Sequence, residues 1–338
     1  MYKPKRVFFE KKALEYPLGE KLYELFQDKD IETKILKSNR VTGIPGESST
    51  EKYVEGKKTL VIRVRKNQEF QSCKPSAHYQ LPLMSGCSAK CEYCYLNTRF
   101  GKKPYTTIYA NVSEILDKAE QYIEKRKPEI TYFESAATSD PIPFEPYTGS
   151  LAKTIEFIGD NDKGRLRLVT KFDDIDGLLK LKHNGHTTIR FSINSDTVIN
   201  EYEHDTASLE YRIKAARKIL DANYKLGFII GPVITHADWK EQYKDMLQRL
   251  ANGLDNKKEE KITFEVISHR FTSSAKNRII EVFPKTTLPM EEDERKYKYG
   301  QFGYGKYVYK KTTIEEIKEF FKDNISTIFP KGEIEYII

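Results

Sequence analysis

The chain has 338 residues, with 57 Lys and Arg against 50 Asp and Glu and a formal net charge of +7. That length buries a full core and suits one large α/β domain or a domain with an appendage. No apolar run approaches the ~20 residues of a membrane span. Met1-Tyr2-Lys3-Pro4-Lys5-Arg6 is not followed by a signal-peptide core, so neither a membrane protein nor an exported one is expected. Only four cysteines are present, which excludes a disulfide framework and points to a reducing cytoplasm. The charge is modest and only hints at an anionic partner.

Residues 1–75 read as a lead-in, with strand-like segments Arg6–Glu10 and 59–64, a helix near 17–28 and a polar loop over 38–51. Strand-forming runs follow at 78–84, 130–134, 165–170, Thr187–Ile193, 226–233 and 261–268. Helical patterns alternate with them near 112–126, 149–160, 174–183, 207–223 and 237–253. Leu209, Ile213, Ala216 and Leu220 recur on one helical face, and Asn111 stands where a helix N-cap belongs. Strand–helix alternation implies parallel strands with right-handed crossovers. A doubly wound sheet and a barrel both fit it.

Directly after the first strand comes Ser85-Gly86-Cys87-Ser88-Ala89-Lys90-Cys91-Glu92-Tyr93-Cys94-Tyr95. Three thiolates in eight residues suit a cubane [4Fe–4S] cluster, whose fourth iron then stays open to a small molecule. The alternative is a zinc site completed by a histidine such as His78. Structural zinc ligands usually come as two separated pairs, whereas the six histidines here are scattered. The spacing resembles the radical S-adenosylmethionine (SAM) signature. That resemblance favours a partial (β/α)6 TIM-like barrel of the radical SAM type, with an N-terminal extension and a C-terminal β-hairpin. It would divide the chain into 1–75, a barrel over 76–290 and a lesion-contacting segment over 291–338. In such barrels the chemistry sits at the carboxyl ends of the strands. There the sequence places 134–140, Lys171, Ser192 to Asn194, Gly231-Pro232 and His269-Arg270.

Beyond the barrel, 295–311 interleaves lysines with aromatics around a Gly-rich turn and reads as a hairpin. Its cations could neutralise phosphates and its rings stack on unpaired bases, or the aromatics could serve the hairpin's own packing. A helix near 313–325 and a strand over 333–338 close the chain.

Several runs together resemble the spore photoproduct lyase family of radical SAM enzymes. They include Ala13-Leu14-Glu15-Tyr16-Pro17-Leu18-Gly19, Lys74-Pro75-Ser76-Ala77, Lys103-Pro104-Tyr105, Arg190-Phe191-Ser192-Ile193-Asn194-Ser195, His269-Arg270-Phe271-Thr272 and Gly305-Lys306-Tyr307-Val308-Tyr309. The likeness runs in order from end to end. It implies a DNA repair lyase that reverts 5-thyminyl-5,6-dihydrothymine, the spore photoproduct, to two thymines. Cys87, Cys91 and Cys94 would hold the cluster. Ser139, Lys171, Ser192 and Asn194 would contact SAM, with Lys171 suited to its carboxylate. Tyr93 and Tyr95 would stand beside SAM. Arg270, Tyr297, Tyr299, Phe302, Tyr304 and Lys306 would face the lesion and its strand. The implied partners are ultraviolet-damaged double-stranded DNA and an electron donor such as a flavodoxin or ferredoxin. The implied setting is a monomer in the spore core, without a membrane. The rivals are a radical SAM enzyme with another macromolecular substrate and a zinc-stapled DNA-binding module.

Two departures from the family pattern bear on mechanism. Most relatives carry a hydrogen-donating cysteine where this chain has Ala137, and the one cysteine outside the cluster motif is Cys73. Three readings are open: Cys73 is the relocated donor, with Tyr95 relaying; Ala137 is an engineered change; or Cys73 is a buried thiol. The first is favoured. At the hairpin tip, Gln301 and Phe302 replace an Arg-Tyr pair, which predicts weaker and less salt-sensitive DNA binding.

Overall fold

The computed structural model describes residues 2–27, 31–38, 40–67, 69–299 and 305–338. Two compact units are present. The first comprises Met1–Ala89, Phe100–Thr170 and Asp174–Thr188, and the second Lys90–Arg99, Lys171–Asp173 and Ile189–Ile338.

In the first unit, Arg6–Glu10 is buried along its whole length. A strand covered on both faces reads as a continuous apolar run and belongs in a parallel sheet. It lies between Glu32–Leu36 and Thr59–Arg63, parallel to both. Thr106–Tyr109 continues the parallel set beside Thr59–Arg63, and Met84–Ser85 closes the edge antiparallel. Val7, Phe9, Leu22, Phe26, Leu60 and Ile62 form the core beneath. The sequence reading missed Glu32–Leu36 because this edge strand is mostly exposed. It also ran its loop over 38–51 into the helix Ser49–Lys57. There the Ser48 side chain accepts from the Glu51 amide and Glu51 answers the Ser48 amide, a capping box that marks a helix start.

The same unit holds Ser72–Cys73, antiparallel to Ala77–Gln80. Ala77–Gln80 is parallel to Thr131–Glu134, and that strand to Gly164–Thr170. The strand expected over 78–84 is interrupted after Gln80. Pro82 has no amide to give a ladder, and the chain pairs again only at Met84–Ser85. Val112–Arg126 is the helix the sequence predicted, with Ile115, Leu116, Ala119 and Ile123 buried. Asn111 occupies its N-cap position without capping it. Its Oδ1 accepts from the Arg65 amide at 2.8 Å and its Nδ2 donates to the Arg65 carbonyl at 3.1 Å. The helix expected over 174–183 is only a 3-10 turn, Asp176–Leu178. Gly177 weakens it, and Asn184 and Gly185 turn the chain with φ of 49° and 69° before a further turn could form.

The strands of the second unit run in the order Thr187–Ile193, Lys225–Val233, Ile262–Ser268, Gly332–Ile337, with the last three parallel. Leu209–Asp221, Trp239–Leu254, Ser273–Val282 and Lys311–Ile328 are helical between or after them. Leu209, Ile213, Ala216 and Leu220 are all buried, as the periodicity required. A Cβ on Gly227 would lie 2.5 Å from Thr263 Oγ1 and 2.9 Å from Arg190 Cγ. Glycine therefore leaves room for the buried Arg190, which pairs with Glu265 at 2.5 Å. Asp196–Tyr202 and Ser273–Val282 are helices the sequence reading did not resolve. Among the described residues, no helix is long and apolar enough to cross a membrane.

Candidate active site

The first unit carries Cys73, Cys87 and Ser139. Gly86 has a φ of +87°, and a Cβ there would meet the Tyr105 carbonyl oxygen at 2.8 Å. Only glycine fits this approach to Cys87. The Gly86 amide donates to the Thr138 carbonyl at 2.9 Å, and the buried Lys57 ammonium donates to the Cys87 carbonyl at 2.8 Å. Ser139 is buried and bridges Gly86 in a parallel pair. Asp140 braces the loop leading away from it, accepting from Thr170 Oγ1 at 2.9 Å and from the Ile142 amide at 3.3 Å. Ala137 and Cys73 are both half-buried. Cys73 pairs with Ala77 at the amino end of its strand, while Ala137 follows the carboxyl end of Thr131–Glu134. His78, a zinc ligand in the alternative reading, accepts the Tyr132 amide on Nδ1 at 3.0 Å and sits 3.3 Å from Arg126 on Nε2.

The second unit carries Cys91 and Cys94 on a tight coil. Asn97 Nδ2 donates to the carbonyls of Cys91 and Glu92, both at 3.0 Å, and the Cys94 amide donates to the Cys91 carbonyl at 3.3 Å. Cys91 also pairs antiparallel with Glu203. Glu92 anchors the coil further, accepting from Thr286 Oγ1 and meeting His204 Nε2 at 2.8 Å. The Cys91 and Glu92 carbonyls are thus bonded within the protein. Three thiolates in this spacing fit the donor set of a cubane cluster. Among the described residues, no three His, Cys, Asp or Glu side chains gather as a single metal ion would need.

Beside Cys91 lies a buried ionic network the sequence reading missed. Glu203 has no exposed side-chain surface; it pairs with Lys171 at 2.7 Å and with Arg212 at 2.7 Å and accepts the Tyr93 hydroxyl. Burial alone would raise its pKa, but Arg212 and then Lys171 override this and hold it at about 2. The Tyr93 hydroxyl is pushed well above its ordinary value by burial and then by Glu203. Lys171 also donates to Ser192 Oγ at 2.8 Å, so two expected SAM contacts are joined. This revises the sequence picture of Lys171. Its ammonium is already matched by a carboxylate, and an incoming carboxylate must share it. Asn194 is fully buried, with Oδ1 accepting from Tyr243 at 2.6 Å and Ser195 at 3.1 Å and Nδ2 donating to the Pro232 carbonyl at 2.9 Å. Tyr95, by contrast, is 54% exposed. Nothing in the sequence singled out Glu203 or Arg212, because charged residues in a 32%-charged chain carry no signal without their partners.

The hairpin forms as expected, Arg295–Tyr299 against Gly305–Tyr309. Tyr299 is 73% exposed, and Tyr297 stands edge-on to it at 5.7 Å. Tyr307 instead stacks on Phe271 and exchanges two backbone hydrogen bonds with it. Lys306 is brought near Arg270, and its pKa is lowered first by burial and then by that arginine. Gln301, Phe302 and Tyr304 lie outside the described residues.

The hairpin base rests on Arg295. Its guanidinium lies 3.7 Å from the Tyr309 ring centroid and donates to the His269 carbonyl at 3.0 Å. Burial, then Arg295, lowers the His269 pKa from 6.5 to about 3. The folded chain keeps this imidazole neutral where the unfolded chain protonates it, so protons favour unfolding. Its contribution is intact above pH 6.5 and declines as pH falls toward 3. Urea denaturation should show a loss of about 2 kcal/mol between pH 7 and pH 5 from this group. His269→Asn should flatten that part of the profile.

A Cys-x3-Cys-x2-Cys loop ahead of an alternating, largely parallel α/β array marks a radical SAM enzyme. The family model for spore photoproduct lyase matches residues 2–338. The spore photoproduct lyase of Clostridium acetobutylicum is 56% identical over 334 residues, covering 99% of this chain and 98% of that one. That of Bacillus subtilis is 46% identical over 334 residues, covering 98% of each. The chain belongs to the spore photoproduct lyase family. A solved spore photoproduct lyase variant, with one cysteine changed to alanine and one serine to cysteine, carries bound AdoMet and dinucleoside spore photoproduct. It is 47% identical, covers 100% of this chain with 99% of its own length, and superposes with a TM-score of 0.97. The fold is thus the partial barrel expected from the sequence.

Proposed function

We propose that this chain is a DNA repair lyase that reverts spore photoproduct to two thymines with a [4Fe–4S] cluster and SAM. The observation that carries the reading is the family match over residues 2–338, with Cys87, Cys91 and Cys94 on the loop after Met84–Ser85. When bound, the cluster and SAM supply an electron and a 5′-deoxyadenosyl radical. The rest falls to the chain. Cys87, Cys91 and Cys94 ligate; Ser139, Lys171, Ser192 and Asn194 orient SAM; Tyr93 fixes Lys171 and Glu203 beside it. Loss of the C6 hydrogen from the lesion breaks the methylene bridge and leaves a thymine radical. Cys73 Sγ gives that radical its hydrogen atom, and Tyr95 would pass its phenolic hydrogen to the resulting thiyl and recover one from 5′-deoxyadenosine. A solved relative pairs a cysteine-to-alanine change with a serine-to-cysteine change. That pairing is in keeping with a donor thiol carried at 73 beside an alanine at 137.

The substrate context is ultraviolet-damaged double-stranded DNA in the spore core, with the lesion extruded from the stack. A low-potential flavodoxin or ferredoxin would supply electrons to a monomer. Arg270, Lys306 and the exposed faces of Tyr297 and Tyr299 hold the strand. Lys296 and Lys298 are exposed on the same hairpin. Lys296→Ala with Lys298→Ala should therefore lower the slope of log affinity against log salt by about 2. Tyr299→Ala should weaken binding by about 1–3 kcal/mol at any salt. An unchanged slope would remove the hairpin from the DNA interface.

The decisive test is anaerobic repair of a synthetic spore-photoproduct dinucleotide with reconstituted cluster, SAM and dithionite, followed by mass spectrometry. Thymidylyl-thymidine is the expected product. Cleavage of SAM with the dinucleotide left intact would assign the chain to another substrate.

A further inference from the structure

The first unit contains a crevice lined by none of the residues assigned above to the cluster, SAM or the lesion. Its five-stranded sheet places Arg6–Glu10 between Glu32–Leu36 and Thr59–Arg63, with Thr106–Tyr109 beyond. The chain therefore runs outward from the first strand to one side, then crosses back to build on the other. In a parallel sheet such a reversal leaves a crevice at the carboxyl ends of the two strands where the direction switches, and ligands bind there. Those two strands are Arg6–Glu10 and Thr59–Arg63, and a cavity of about 400 Å³ begins at their ends beside Glu10 and Arg63 and extends along Thr106–Tyr109 to Tyr105.

Its walls are cationic and aromatic. Arg63, Arg65 and Lys66 face it against one carboxylate, Glu10, which is already occupied by Lys66 at 3.3 Å and by the Val64 amide at 3.1 Å. The Arg63 guanidinium lies 5.9 Å from the Tyr105 ring centroid and the Arg65 guanidinium 5.6 Å from that of Tyr109. Arg65 is fixed from behind, since Asn111 holds both its amide and its carbonyl. Ser85 and Thr107 also line the cavity. A planar guanidinium stacked on a tyrosine can fork two hydrogen bonds to a phosphate, while the ring beside it offers a face to a base.

We propose that this crevice binds a phosphorylated nucleoside, with Arg63 and Arg65 on the phosphate and Tyr105 or Tyr109 on the base. The shared chemistry has two sources: a free mononucleotide, or one nucleotide of the DNA strand.

The test is calorimetric titration of the full chain with thymidine 5′-monophosphate, thymidine and inorganic phosphate. The nucleotide should bind saturably, and thymidine roughly tenfold or more weakly. Arg63→Gln with Arg65→Gln should weaken the nucleotide by a similar factor, while Arg63→Lys with Arg65→Lys, which keeps the charge, should recover part of the loss. A saturating excess of SAM should leave this binding unchanged. A short oligodeoxythymidylate that displaces the nucleotide with the same dependence on the arginines identifies the DNA strand as the source. One that does not compete identifies the free nucleotide. Equal affinity for thymidine, insensitivity to both arginine pairs, or displacement by SAM would each overturn the proposal.

Discussion

Replacing Glu203 with alanine is expected to cost the fold about 3–5 kcal/mol, the range for breaking a buried charge pair from one side. The substitution leaves Arg212, with no exposed side-chain surface, and Lys171 facing each other without their shared anion. Repair should be lost with it, since Lys171 and the Tyr93 hydroxyl then have no common anchor. Glu203→Gln keeps the volume and one acceptor oxygen, and should fall between alanine and wild type in urea denaturation. A Glu203→Ala chain within about 1 kcal/mol of wild type would contradict the role of the network. Because Glu203 is held at about 2, its stabilisation is present above the ordinary carboxylate range and disappears only as pH falls toward 2.

Cys73→Ala is the second large effect. The dinucleotide lesion should still be consumed, while clean thymidylyl-thymidine falls roughly tenfold or more and adducts take its place. Cys73 pairs with Ala77, near the amino-terminal level of Thr131–Glu134. Continued along the register this is about 10 Å below Glu134, and Ala137 lies beyond that residue. A thiol at 73 and a thiol at 137 therefore start from different levels of the sheet. Restoring the family residue, Ala137→Cys, in the Cys73→Ala background should recover clean product. Clean repair by Cys73→Ala alone would rule out Cys73 as the donor.

What could be read from the sequence follows from how each residue acts. Helices with a one-sided apolar stripe, Val112–Arg126 and Leu209–Asp221, were readable because periodicity is a local property. So were fully buried strands such as Arg6–Glu10. The cysteine loop was readable because cluster ligation needs a fixed spacing. Glu32–Leu36 was not, since an edge strand with exposed side chains has little apolar pattern. Asn111 showed a cap residue but could not show that its amide turns to Arg65, which is distant in sequence. Glu203, Arg212 and Lys171 form one unit only in three dimensions. Long-range charge pairing leaves no trace in composition.

The placement of Gly332–Ile337 has a consequence in time. This strand covers the edge of Ile262–Ser268, and Ile338 exchanges hydrogen bonds with Val266 and Ser268. The covering strand is made about 64 residues after the strand it covers, which at ordinary translation speed is roughly 3–13 s. During that interval the row of amides and carbonyls on Ile262–Ser268 stands open to a strand of another nascent chain. Slower elongation through 269–331 would prolong that exposure, so the yield of native protein should depend on codon choice in that stretch.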